Sequence, residues 1–169
     1  NVTRSKSVRQ TLEFHAVLER VADAAASEPG RRLALELEPT PRVEKAGERL
    51  ELVREWTGLL ARRIYPPLAG IVDIAAPLSE VAAAGSTLAP EALRDIGSVA
   101  AAVAAVKEYF DKHREAAPKL QALAAGLVPA EKTRRAVENA IAPNGDILDS
   151  ASPALRKVRR EIEQADGRL

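Results

Sequence analysis

The chain has 169 residues, enough for one domain with its own core, and its 25 Lys and Arg face 24 Asp and Glu for a formal net charge of +1. That balance excludes the broad basic excess of a dedicated nucleic-acid binder, and the lack of cysteine excludes disulfides, thiolate zinc sites and cysteine nucleophiles and fits a cytoplasmic location. Alanine is the commonest residue and aromatics are only 3%, which favours helices over sheets, and no apolar run reaches the ~18 residues needed to cross a bilayer, so no membrane partner is expected.

Residues 1–10, with Arg4, Lys6 and Arg9, are basic and aperiodic and read as a flexible tail without a following signal-like apolar segment. Thr11 is the expected cap of a first helix, with Glu13 in its first turn and Phe14, Val17, Leu18, Val21 and Ala25 on one stripe. Ser27-Glu28-Pro29-Gly30 breaks that helix, and a short second one runs through Leu33 and Leu37. Thr40 then reads as a cap and Pro41 as the first helical position of a third helix, whose apolar face is Val43, Ala46, Leu50, Val53 and Leu60, with Trp56 beside it.

Tyr65-Pro66-Pro67 has to be irregular. A short amphipathic segment holding Ile71, Ile74, Leu78 and Val81 ends at Gly85. Pro90 opens the longest helix, striped by Leu93, Ile96, Val99, Val103, Val106 and Phe110, with Pro118 closing it. The valine–alanine run from Val99 to Val106 reads as buried. Helices follow at Lys119–Gly126 and Ala130–Ala140. Pro143-Asn144-Gly145-Asp146 marks the turn of a small β-hairpin near 141–149. Ser152-Pro153 starts a last helix in which Leu155, Val158, Ile162, Ala165 and Leu169 form a coiled-coil seam still in register at the final residue, weakened only by Gly167. The fold class is therefore all-α, mainly a helical bundle, with a core domain over 11–152 and the root of a long helix over 153–169.

No catalytic constellation accompanies these elements. The sequence contains neither G-x-x-x-x-G-K-S/T nor G-x-G-x-x-G. His15 and His113 stand on separate helices, His113 within the charged run Asp111 to Glu115, so no metal or catalytic role is expected of either. Glu51 and Glu55 share a helix face, and the reading is a solvated surface on which Glu51 pairs with Arg54. Asp149 is expected to cap backbone groups beside the hairpin turn. Arg62-Arg63, Arg134-Arg135 and Arg156-Lys157 with Arg159-Arg160 are the local basic clusters. Arg156, Lys157, Arg159 and Arg160 are the candidate nucleic-acid contacts, although Glu161 and Glu163 follow them.

Three ordered sets of residues resemble the bacterial MutS2 family. They are Thr11-Leu12-Glu13-Phe14 with Val17-Leu18 and Ser27-Glu28-Pro29-Gly30-Arg31; Pro67-Leu68-Ala69-Gly70-Ile71-Val72-Asp73-Ile74 with Leu78, Gly85, Leu88 and Glu91-Ala92-Leu93; and Asn144-Gly145-Asp146-Ile147-Leu148-Asp149-Ser150-Ala151-Ser152-Pro153-Ala154-Leu155 with Val158-Arg159-Arg160-Glu161-Ile162. Each is short and mostly structural, and the specificity lies in the set. The resemblance implies an N-terminal core and lever region, followed in the parent by clamp, ATPase and, in most members, an Smr nuclease domain. It implies a homodimeric parent that uses ATP and Mg and acts on branched DNA, restraining recombination, or on collided ribosomes, splitting them. This chain would then be a non-catalytic relay holding neither cofactor. The lack of any methionine and the seam still in register at Leu169 fit a segment excised from such a parent. The alternative is a free-standing helical module that dimerises through its seam, and a helical metalloenzyme stands third because no ligand cluster supports it.

Overall fold

The computed structural model describes residues 13–82 and 85–166, and every regular element in them is a helix. The basic tail, the Thr11 cap, Gly167 and the terminal seam residue Leu169 lie outside the described residues. Helices α1 (Phe14–Asp23) and α2 (Glu28–Leu35) pack on each other through Leu18, Ala22 and Ala34. Val17 and Val21, expected on the α1 stripe, are exposed; Leu18 and Ala22 carry the contact. Glu13 is not in the first turn but precedes it in a left-handed conformation, φ 49°. Ser27-Glu28-Pro29-Gly30 does more than break a helix: extended Ser27 accepts the Gly30 N–H at 3.2 Å and so starts α2. Leu37 falls beyond the end of that helix.

Helix α3 (Val43–Ala61) begins later than the Thr40-Pro41 signal predicts. Thr40 Oγ1 accepts the Arg42 N–H at 3.3 Å, which closes a local turn and leaves Pro41 and Arg42 outside the helix. The face that α3 buries also differs from the expected one. Leu59 is fully buried, with Leu52 and Trp56 half-buried beside it, whereas Val43, Leu50 and Val53 are 79%, 57% and 56% exposed. The larger aliphatic set points away from this chain's core.

That core joins α3 to α5 (Pro90–Lys112) and α6 (Pro118–Ala125). Phe110, Ala117, Leu120 and Ala124 close around Leu59, with Ile64, Val106, Tyr109 and Leu127 at the margin. Phe110 meets Tyr109 edge-on at 5.0 Å and Trp56 at 6.4 Å between ring centroids, and Tyr109 donates its hydroxyl to the Ile64 carbonyl at 3.2 Å. Partial burial pushes the Tyr109 phenol above its ordinary pKa. Pro118 does not close α5, which ends at Lys112 with His113 as C-cap; it is the first residue of α6, where its missing N–H costs nothing.

Helix α4 (Ala75–Val81) is shorter than expected, since Ile71 lies outside it and Ile74 is its cap. Asp73 accepts the Ala75 N–H at 3.0 Å and pairs with Arg32 at 2.7 Å, which ties α2 to this segment. The backbone hydrogen bond, with Arg32 assisting, holds the Asp73 carboxyl below its ordinary pKa.

Helix α7 (Glu131–Ala140) lies along the first half of α5, where buried Gly97 lets the backbones approach. Within the Val99–Val106 run, Ala100 and Ala102 are buried and the rest half-buried. The expected hairpin reduces to a single antiparallel bridge, Ile141 with Ile147, closed by Ala142 N–H to Asp146 O and Leu148 N–H to Ala140 O, both at 2.8 Å. Gly145 takes φ 94° at the turn, as Asn-Gly predicts. Two residues on either side of so tight a turn are too few for a ladder. A 3-10 turn (Asp149–Ala151) leads into α8 (Pro153–Asp166).

Candidate functional site

The last helix is the element on which the sequence concentrates its unusual features, and the structure roots it firmly at one end. Ser152, extended, accepts the Leu155 N–H at 3.0 Å and caps α8, with Pro153 at the first position. Asp149 does not cap backbone groups; its carboxylate holds Arg159 at 2.5 Å, because α8 turns Arg159 back over the 3-10 turn. Ser150 donates to the Asn139 carbonyl at 2.6 Å, so the turn is fixed to α7. Beyond this base α8 touches little: Leu155 is half-buried, but Val158 and Ile162 are 50% and 54% exposed and Ala165 is exposed.

The four candidate contacts do not form one free cluster. Arg159 is committed to Asp149, and Lys157 lies 3.8 Å from Glu161. Arg156 and Arg160 are exposed, one turn apart, with no carboxylate partner among the described residues. Asp149, Glu161, Glu163 and Asp166 balance the four cations locally, so α8 carries no field of one sign.

The other basic pairs divide. Arg134 is locked between Glu131 at 2.6 Å and Glu138 at 2.5 Å, and Arg135 also reaches Glu131 at 2.8 Å, which neutralises both on α7. Hydrogen bonds from Arg134 and then Arg135 pull the Glu131 carboxyl down to about 2, and hydrogen bonds to Glu131 and then Glu138 raise the Arg134 guanidinium. Arg62 and Arg63 are exposed where α3 ends, with Arg63 left-handed at φ 58°.

The acidic pair on α3 is partly solvated, as expected, but its partner is α6 rather than Arg54. Glu55 accepts the N–H groups of Lys119 at 3.0 Å and Leu120 at 2.8 Å, and Glu51 pairs with the Lys119 ammonium. Both carboxylates therefore serve the N-terminus of α6, where unsatisfied N–H groups and the helix dipole favour negative charge. Sequence spacing within α3 carried no sign of a partner more than sixty positions away. His15 is exposed and 3.3 Å from Glu19, while His113 is not on a solvated face: it caps α5 with its ring 4.6 Å from that of Tyr109. Among the described residues, no three of His, Cys, Asp and Glu converge where a metal ion would be held, and none of the helices is long and apolar enough to cross a membrane. The sequence carries no phosphate loop of the kind that cradles ATP with Mg2+.

No family model matches the chain. Curated proteins do. It is 30% identical over 164 residues to the endonuclease MutS2 of Pelotomaculum thermopropionicum, which covers 97% of this chain and 21% of that protein. The MutS2 endonuclease of Bacillus velezensis is 30% identical over 167 residues, and that of Ruminiclostridium cellulolyticum 32% over 162, covering 97% and 95% of this chain. The chain thus spans about a fifth of the length of the relatives it matches.

Proposed function

We propose that this chain, which belongs to the MutS2 family along the stretch it shares with those proteins, is a non-catalytic helical core that roots a lever helix in a larger ATP-driven protein. The observation that carries this reading is α8, capped by Ser152 and clamped by Asp149–Arg159 at its base, with the seam residues Val158 and Ile162 uncovered along its length. A helix fixed at one end with an open apolar seam is suited to transmit motion from the core to a paired helix. The expected pairing partner belongs to the four-fifths of the relatives' length outside the alignment.

In this reading the parent is a homodimeric ATPase and endonuclease whose arms embrace branched DNA or a collided ribosome, and ATP and Mg2+ act in its other domains. In that parent the part of this chain is positional. Arg156 and Arg160 line the polar side of the lever and would meet phosphate only when the arm closes.

The test is made in a full-length MutS2 protein carrying this segment. Val158→Lys with Ile162→Lys is expected to weaken capture of branched DNA or of ribosomes about tenfold or more while intrinsic ATP turnover persists. Running both substrates side by side identifies the one the arms serve. Unchanged capture of both would contradict the relay.

A further inference from the structure

The α3 face that this fold leaves bare has a regular pattern of its own. Val43, Ala46, Leu50, Val53, Thr57 and Leu60 alternate in steps of three and four through about two and a half heptads, all exposed but the half-buried Ala46, while Leu52, Trp56 and Leu59 serve the core from another side. A helix in contact with its core on one side has no need of a second heptad stripe, and a lone exposed stripe of this length is the surface of a two-helix contact.

The residues bordering the stripe define what fits it. Arg42 and Arg49 flank it on one edge and Arg54 on the other, all exposed, and no acidic residue occupies those flanking positions. Arg49 donates to the Glu38 carbonyl and so keeps its charge, while Arg42 and Arg54 have no carboxylate partner among the described residues. Gly47 borders the stripe beside Ala46, and a Cβ added to it would meet nothing within 4 Å, so this fold gives no packing reason for a glycine there. A close-lying partner backbone would.

We propose that this face of α3 is the docking groove for one amphipathic helix whose apolar seam is flanked by glutamate and aspartate. Flanking charges choose the partner of a heptad seam, and three arginines on the rim favour acidic flanks and repel basic ones. The inference does not depend on the lever reading of α8, since it concerns a different helix and different residues.

Two synthetic three-heptad peptides test it, both with isoleucine and leucine on the seam, one with glutamate at every flanking position and the other with lysine. Titrated against this chain by fluorescence anisotropy, the glutamate peptide is expected to bind about tenfold or more tightly than the lysine peptide, and the gap to narrow as salt is raised. Leu50→Lys with Val53→Lys, both at exposed positions, is expected to leave the circular dichroism spectrum unchanged and to abolish binding, and Arg42→Glu with Arg54→Glu to reverse the preference. Equal affinity for both peptides, no binding, or binding that survives the Leu50 and Val53 changes would overturn the proposal. So would a dimer of this chain, seen by sedimentation, that those two changes dissociate, because the groove's occupant would then be a second copy.

Discussion

Gly97 of α5 faces Val137 of α7 so closely that a Cβ on the glycine would stand 2.7 Å from Val137 Cγ1 and 3.1 Å from its Cβ. Valine is branched at Cβ and has little rotamer freedom in a helix, so it cannot step aside. Alanine gains about 1 kcal/mol over glycine in a helix interior, but forcing a methyl into a closed contact costs about 1–3 kcal/mol. Gly97→Ala is therefore expected to lower the melting temperature, by about 2–4 °C for each kcal/mol of net loss. Adding Val137→Ala in that background should recover part of the loss, which calorimetry on the two single variants and the double variant measures directly.

The opposite sign is expected at Gly47 and Gly58 on α3, where a Cβ would meet nothing within 4 Å. Each change to alanine should stabilise the chain by roughly 0.5–1 kcal/mol, through backbone entropy alone. A loss at Gly47 in thermal melts would show a packed neighbour that the fold described above does not contain.

Glu55 and the α6 N-terminus are coupled through the hydrogen bonds to Lys119 and Leu120. Removing a capping acceptor costs about 0.5–2 kcal/mol, so Glu55→Ala should destabilise by that order and expose the amides of Lys119 and Leu120 to hydrogen exchange. Glu55→Gln keeps one acceptor oxygen and should cost less. Equal exchange in the wild type and the alanine variant would remove Glu55 from this role.

Acidification should loosen α7 specifically. The Glu131 carboxyl is held at about 2 against an ordinary 4.5, chiefly by hydrogen bonds from Arg134 and Arg135. A depressed carboxylate favours the folded form only while it is ionised, so its contribution is complete above about pH 4.5 and is lost as pH falls towards 2. Glu131→Gln should flatten that limb of the stability profile and lower stability at neutral pH by a small, salt-sensitive amount, since the group is solvent-exposed. An acid limb identical in the two proteins would show that other carboxylates control it.

Periodicity and capping chemistry located most of the helices, because Pro90 and Ser152-Pro153 act on their immediate neighbours, whereas Ser27 reads as a breaker and proves to be a cap. They failed where two signals competed. Thr40 closed its own turn and displaced the start of α3, and Pro118 belongs to the helix after it rather than the one before. The face of α3 was misread because both of its sides are apolar, and periodicity finds stripes without saying which neighbour covers them. Glu55 at α6 and Asp149 at Arg159 depend on chain path, which spacing along one element does not encode. Leu155, Val158, Ile162 and Ala165 do fall on one helix, α8, where Leu155 is half-buried and Val158, Ile162 and Ala165 are exposed.

That uncovered seam is the central claim, and Val158→Lys with Ile162→Lys in this chain tests it most directly. If α8 offers the seam to a helix outside this fold, the double variant should melt within about 2 °C of wild type, as surface changes do, while Leu59→Ala in the core should cost about 2–5 kcal/mol. A loss from the lysine pair comparable to that of Leu59→Ala would mean that the seam packs on the chain's own core, and the lever account would fail.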